Sequence, residues 1–311
     1  MKKYPFSWYP IGTSSMIKLG QVKSICLFDQ EWILFRGFSG KLGLVQSHCE
    51  HMGTHLKKGK VIADEIQCPF HLFRYNTYGI CKVSCKTEQY TLGKKNFTVK
   101  EKYNVIFIFP GEKEKFDFSE IIDIKNEALS YVFTKKLNTP FESLIFNGFD
   151  PHHLSKIHNR EIDGDLKFTS KNKFHLRAQF SLKNLNKNFY DKFVNLLGSK
   201  NQFFYLECWG GNTAVISNHR LNFNVVISSV PIKENLSQIF IFSLIEKKNG
   251  FFRNLRATLL IHLVNFLAVR FLDPDVRIVE NMKPEIKTLI PEFDAPVKTF
   301  WNYWDHLEKY E

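Results

Sequence analysis

The chain has 311 residues, 44% of them hydrophobic and 24% charged, a balance that excludes long disordered stretches. Its length exceeds one minimal core and points to two domains. The net charge of +12 is unevenly spread: eighteen Lys and Arg against nine Asp and Glu leave the first 115 residues at +9. Lys57, Lys58, Lys60, Lys82, Lys86, Lys94 and Lys95 crowd one part of that segment. Such a patch can be a nucleic-acid groove, a docking face for an acidic protein or a solvated surface. No recognition-helix or stacking-sheet pattern accompanies it, so an acidic protein partner is expected and nucleic acid is not.

In chain order, the opening Met-Lys-Lys-Tyr has no apolar run behind its lysines, so no secretory leader is expected. Residues 1–110 then read as short β-strands separated by turns. "SICLFDQEWILFRGFSGKLGLVQ" has apolar runs broken at Asp29-Gln30 and Phe38-Ser39-Gly40, and "EIQCPFHLFRYNTYGICKV" continues the style with a turn at Asn76 to Gly79. Pro110-Gly111 and the charged run after it form a linker, which divides the chain into 1–115 and 116–311. Beyond it, "TPFESLIFNGFDPHHLSKIHNREI" has helical spacing. Strand-like segments follow at "FYLECW", "TAVISN", "FNVVISSV" and "SQIFIFSLIEK", then a long helix at roughly 252–272. Arg256, His262, Asn265 and Arg270 interrupt that helix, so it reads as a buried or amphipathic helix and no membrane span is expected. The fold class is α+β: an all-β first domain, then an antiparallel sheet flanked by helices. A cytoplasmic location is expected, with Cys26, Cys49, Cys68, Cys81, Cys85 and Cys208 as ligands or small core residues in place of disulfide partners.

Within the first domain, "CEHMGTHLKKGKVIADEIQCPFH" places Cys49 and His51 as C-x-H and Cys68 and His71 as C-x-x-H, with sixteen residues between the pairs. Four N and S ligands suit zinc or an iron–sulfur cluster. A zinc finger groups its cysteines together and its histidines together, whereas here each pair is mixed. Two loops that each present one Cys and one His suit a rhombic cluster in which two thiolates take one iron and two imidazoles the other. The string, with Gly53, Leu56, Gly59, Val61, Pro69, Phe73, Tyr75, Asn76 and Gly79 around it, resembles the Rieske [2Fe–2S] domains of ring-hydroxylating oxygenases over about 40 residues. Respiratory and photosynthetic Rieske proteins add one cysteine per loop. The chain has none at those places, with Phe70 beside His71, and so resembles the oxygenase and ferredoxin branch. Cys81, Cys85 and His55 lie near the motif but outside its ligand positions.

A Rieske ferredoxin needs only about the first 110 residues. In the remainder, Asn147, Asp150, His153 and His158 are spaced N-x-x-D-x-x-H-x-x-x-x-H. Two nearby histidines are usually satisfied surface or core polarity, but downstream of a Rieske motif this spacing resembles the catalytic helix of Rieske oxygenases. The resemblance implies that His153 and His158 bind a mononuclear non-haem iron and that Asp150 bridges towards the cluster of a neighbouring subunit. His152 is a weaker alternative ligand. A regular helix sets His153 and His158 about 140° apart, so the helix must be distorted or end there. A facial triad also needs a carboxylate. Asp273 and Asp275, in "FLDPDVRIVENMKP" after the long helix, are both candidates, and either could simply cap a helical turn. Asp275 fits the frame of the ketosteroid-hydroxylase relatives, with Ile278, Glu280 and Asn281 following it.

The resemblance implies a helix-grip catalytic domain and a terminal oxygenase that uses O2 to hydroxylate, or oxidatively dealkylate, an apolar small molecule. Aromatic-ring cis-dihydroxylation stays open as an alternative. So does an electron-transfer protein without oxygenase activity. No Gly-x-Gly-x-x-Gly fingerprint is present, so NAD(P)H is expected to act through a separate reductase or ferredoxin docked on the basic first domain. A homotrimer is implied by the resemblance alone.

Overall fold

The computed structural model describes residues 4–84, 89–122, 124, 128–182, 203–218, 223–246 and 250–310. The chain falls into two compact units. The first runs to Lys115 and includes Pro231–Glu234 and Tyr310; the second holds Phe116–Val230 and Asn235–Lys309.

The first unit is built from short antiparallel strands. β1 (Tyr9–Thr13), β10 (Phe97–Lys102) and β11 (Val105–Pro110) form one sheet with β11 in the centre. β2 (Val22–Leu27), β3 (Gln30–Arg36) and β4 (Leu42–Gln46) form a second, and β5 (Lys60–Ile62), β6 (Glu65–Gln67) and β7 (Arg74–Tyr75) a third. β8 (Cys81–Ser84) and β9 (Gln89–Leu92) make a hairpin. Central β11, "VIFIFP", is buried at every position, which explains its unbroken apolar run. Ile33, Phe35, Val45, Leu56, Val61, Ile66 and Tyr75 pack in one cluster with Cys49, Cys68 and Cys81.

The second unit is a seven-stranded antiparallel sheet with helices. Its strands are β12 (Ala128–Leu137), β13 (Ile162–Thr169), β14 (His175–Leu182), β15 (Phe203–Trp209), β16 (Thr213–Asn218), β17 (Phe223–Lys233) and β18 (Leu236–Glu246), in the order β12-β18-β17-β16-β15-β14-β13. Interior β17 and β18 carry long buried runs, while edge strand β13 alternates exposed polar with half-buried residues. α1 (Ser143–Asn147) and α2 (Pro151–His158) follow β12; α3 (Phe251–Val279) follows β18; α4 (Ala295–His306) closes the unit. This is the α+β layout with helices flanking an antiparallel sheet.

Helix α3 packs on β12 and β18 and runs alongside β12. The Tyr131 and His262 rings meet at 4.9 Å at one end, and Asn138 Nδ2 donates to Glu280 Oε1 at 2.8 Å at the other. Seven strand residues and eighteen helical ones span similar lengths, about 23 and 27 Å. The helix is longer than its apolar pattern predicts. It continues through Pro274 to Val279, so Asp273 and Asp275 lie within it and neither starts a new helical turn. The hydrogen bond that proline deletes would have gone to the carbonyl of Arg270, an exposed position that water can serve.

Candidate metal centres

In the first unit two loops repeat one backbone pattern. Cys49 N–H donates to Thr54 O at 2.8 Å and Gly53 N–H returns to Cys49 O at 2.8 Å. Cys68 N–H donates to Phe73 O at 2.8 Å and Leu72 N–H returns to Cys68 O at 3.2 Å. Each loop turns back at a residue with positive φ, Gly53 at +71° and Leu72 at +61°. Glycine adopts that conformation freely, whereas Leu72 carries about 1–2 kcal/mol of strain for it. Each loop thus roots a buried cysteine and lifts an exposed histidine to its tip.

The two histidines meet there, with His51 Nδ1 and His71 Nδ1 3.2 Å apart. Two neutral imidazoles at that separation share at most one hydrogen bond, whereas an electrophilic centre uses both lone pairs. Cys49 and Cys68 are free thiols in the apolar cluster beneath. Tyr75 Oη lies 3.1 Å from Cys49 Sγ and accepts from the Glu50 amide, also at 3.1 Å. Burial, reinforced by the hydrogen bond with Cys49, raises the Tyr75 hydroxyl above its usual range, which keeps it protonated beside that sulfur. Two thiols and two imidazoles so placed fit a Rieske cluster.

The neighbouring polar residues have other duties. His55 caps a short 3-10 turn, its Nδ1 accepting from Lys57 N–H, and its Nε2 lies 3.1 Å from Glu31 Oε2. Cys81 is buried, and that burial pushes its thiol up. Cys85 and Lys86 lie outside the described residues.

In the second unit α2 begins on Asp150 as N-cap, whose Oδ1 accepts from His152 N–H at 2.8 Å, with Pro151 in the first turn. His153 faces inward and is buried. His158 is the last helical residue. The Asn159 N–H reaches back five residues to Leu154 O, and Asn159 is left-handed, φ 52° and ψ 42°. A five-residue reach widens the final turn beyond the α-helical four. The 140° offset is thereby absorbed, and His158 Nε2 comes to 3.2 Å from His153 Nε2. His152 does not converge with them; its ring lies flat on Phe293 at 3.7 Å.

Asp275, on the inner side of α3, completes the cluster. Its Oδ1 and Oδ2 are each 3.1 Å from His158 Nε2, and Oδ1 contacts His153 Nε2. Asp273 points outward and pairs with Arg277 at 2.7 Å. Burial alone would raise the Asp275 carboxyl, but hydrogen bonds with His153 and His158 outweigh it and hold the group below the ordinary carboxylate range. Donor atoms of His153, His158 and Asp275 lie within 4.8 Å of one another. Ligands about 2.1 Å from one ion and about 90° apart sit about 3.0 Å from each other. The separations of His158 Nε2 from His153 Nε2 and from both Asp275 oxygens fit that geometry, and two nitrogens with one carboxylate are the donor set of a facial triad.

Asn147, at the end of α1, is buried against the cluster and donates from Nδ2 to Asp275 Oδ1 at 3.1 Å. Sequence spacing singled out Asn147 but assigned it no task. Its position one helix upstream of two inward histidines was the available signal. Glu280 and Asn281 stand outside the cluster and anchor the end of α3: Glu280 accepts from Asn138, and Asn281 N–H donates to Asn138 O at 2.9 Å.

Comparison with known proteins matches residues 7–99 to the family described as Rieske [2Fe-2S] domain. Chlorophyllide a oxygenase of Arabidopsis thaliana is 35% identical over 106 residues, 34% of this chain and 20% of that protein. Cholesterol 7-desaturase of Ciona intestinalis is 28% identical over 163 residues, 50% of this chain and 35% of that protein. The oxygenase component of 3-ketosteroid-9-alpha-monooxygenase from Rhodococcus rhodochrous is 30% identical over 109 residues, 34% and 29% of the two chains. The chain therefore spans between a fifth and about a third of these curated relatives. Among solved structures, the carbazole-bound oxygenase in the ferredoxin complex of carbazole 1,9a-dioxygenase superposes with a TM-score of 0.70 at 16% identity. The match covers 98% of this chain and 89% of that one. Dicamba monooxygenase bound to dicamba gives 0.66 at 14% identity, covering 97% and 96%.

Proposed function

We propose that this chain, which carries a Rieske [2Fe–2S] domain on the fold of the Rieske terminal oxygenases, is itself the oxygenase component of such a system. The observation that carries this reading is the convergence of His153, His158 and Asp275 in one buried cluster, in the same polypeptide as the two Cys–His loops. When bound, the cluster supplies one-electron transfer and the mononuclear iron supplies O2 activation.

The chain's own residues set the conditions for that chemistry. Cys49, His51, Cys68 and His71 would hold the cluster, with the two exposed histidines as the side through which an electron would enter or leave. Tyr75 Oη lies beside the Cys49 sulfur, and with Cys49 as a thiolate ligand it would donate there and favour the more negative, reduced state. His153, His158 and Asp275 would hold the mononuclear iron, and a set of three protein ligands supplies positions for O2 beside substrate. Asn147 fixes the Asp275 carboxylate. Asp150 orders the start of α2, and its family resemblance assigns it the bridge to a neighbouring subunit's cluster.

Two exposed apolar patches support a head-to-tail homotrimer. Met52, Phe70 and Leu72 surround the His51–His71 edge, and Ile157 is exposed on α2, against whose His152 the exposed Phe293 stacks. Exposed Lys57, Lys58, Lys60 and Lys82 support docking of an acidic reductase or ferredoxin on the first domain, residues 1–115, in the cytoplasm. The catalytic domain is 116–311. The substrate is an apolar small molecule, and the relative named a 3-ketosteroid monooxygenase favours hydroxylation over ring dihydroxylation.

A surrogate reductase with NADH, O2 and a panel of apolar substrates tests the reading. Wild-type protein should couple O2 uptake to a hydroxylated or dealkylated product, and Asp275→Ala should lose at least about 100-fold of that coupled rate. Coupled turnover by the Asp275→Ala protein would overturn the assignment.

A further inference from the structure

Helix α3 buries one face, through Ile261, Val264, Asn265, Leu272, Asp275, Val276 and Val279, against the second unit. Its opposite face is apolar as well. Leu255 is 47% exposed, Leu259 64%, Leu263 41% and Phe266 65%. These four sit at i, i+4, i+8 and i+11 and form one stripe about 16 Å long on the outer side. A lone exposed leucine needs no explanation, but four in register make a contiguous apolar surface. Tyr131 extends it from edge strand β12; it is exposed and rings against His262.

The described charged side chains at the two ends of the stripe, Arg256 and Arg270, are basic. In sequence, residues 251–270 carry Arg253, Arg256 and Arg270 and no acidic residue. Phe251 and Phe252 stand in sequence just before the stripe. Arg256 and Arg270 are exposed at either end of it, and exposed Lys135 lies on the same strand face as Tyr131. A second copy meeting this face through a two-fold axis would set basic rim against basic rim. An anionic surface would pair with the rim while the leucines and Phe266 left water. The helix is long and apolar enough to cross a bilayer by length and composition, but its inner face packs on β12 and β18 and carries Asp275. That packing leaves it able to lie on a bilayer and not to traverse one.

We propose that the outer face of α3 is a membrane-docking surface that rests in the headgroup region of an anionic bilayer, with Leu255, Leu259, Leu263 and Phe266 inserted and Arg256 and Arg270 on the phosphates. On the oxygenase reading above, docking brings the enzyme to where apolar substrates concentrate. The binding itself does not depend on that reading.

Flotation of the full holoprotein with vesicles tests it, comparing phosphatidylcholine alone with equimolar phosphatidylcholine and phosphatidylglycerol. Wild-type protein should float with the anionic vesicles, at least about tenfold more than with neutral ones, and less as salt rises. The double variant Leu259→Ser/Phe266→Ser should lose at least about tenfold of this binding while keeping its visible cluster spectrum and unfolding midpoint. Both positions are exposed, so folding does not depend on them; Arg256→Gln/Arg270→Gln gives a second, purely electrostatic arm with the same expected direction. Wild-type protein that fails to float, or variants that float unchanged, would overturn the proposal. So would a smaller oligomer on light scattering for the Leu259→Ser/Phe266→Ser protein without lipid, since that would assign the face to a second copy.

Discussion

Asn147 Nδ2 donates to Asp275 Oδ1 and lies 3.2 Å from His153 Nε2, so it braces the carboxylate alongside the histidines. Outer partners of metal ligands are worth about 10–100-fold in metal affinity or activity. Asn147→Ala should therefore weaken the mononuclear iron by about that factor in a chelator competition while leaving the cluster spectrum unchanged. A variant that holds its iron as tightly as wild type would show that Asp275 is fixed by the histidines alone. At this scale the sequence was most informative for the four Cys–His positions, because a mixed Cys–His pair per loop has few other uses. It was less so for the choice between Asp273 and Asp275, two residues apart. A rotation of about 200° along α3 separates the inner carboxylate from the one that pairs with Arg277 in solvent, and only the packed helix fixes which is which.

Two helices decide the geometry of the second site. α2 needs its N-cap to start and its wide last turn to finish. Asp150→Ala should cost about 1 kcal/mol of stability, and Asp150→Asn, which keeps a capping oxygen, only a few tenths. Both should lower coupled turnover if Asp150 also serves the path to the neighbouring cluster. Thermal unfolding set beside turnover separates the two duties: a fully active Asp150→Asn protein would leave only the cap. The apolar spacing around α1 and α2 was readable, and so was the need for a distortion between His153 and His158. The form of the distortion was not, because it depends on Asn159 taking a left-handed conformation that most residues avoid. α3 shows the opposite limit. Pro274 reads as a helix end, yet the helix passes through it, since the lost hydrogen bond falls at exposed Arg270 while Val276 and Val279 stay buried beyond it. The exposure of its outer leucines was equally hidden, because a helix apolar on both faces has no marked side.

Across the whole molecule, most strands and both Cys–His loops could be read from alternation, turns and spacing, whereas long-range pairings such as β12 beside β18 could not. One such pairing carries a pH dependence. Glu207 on β15 is partly buried, which alone would raise its carboxyl. Hydrogen bonds with His175 and Arg177 outweigh that and lower it from 4.5 to about 2. A folded value below the unfolded one stabilises the fold fully above about pH 4.5, and that contribution fades as pH falls towards 2. The difference in unfolding midpoint between wild type and Glu207→Gln should therefore be largest near neutrality and shrink below pH 4.5. A difference independent of pH would remove the ionic explanation. The central claim is that one chain carries two iron sites, and iron content per chain measures it most directly. Wild-type protein reconstituted with iron and sulfide should hold about three irons, two in the cluster and one at His153, His158 and Asp275, and Asp275→Ala about two with an unaltered cluster spectrum. About two irons in the wild type, or a third retained by Asp275→Ala, would contradict it.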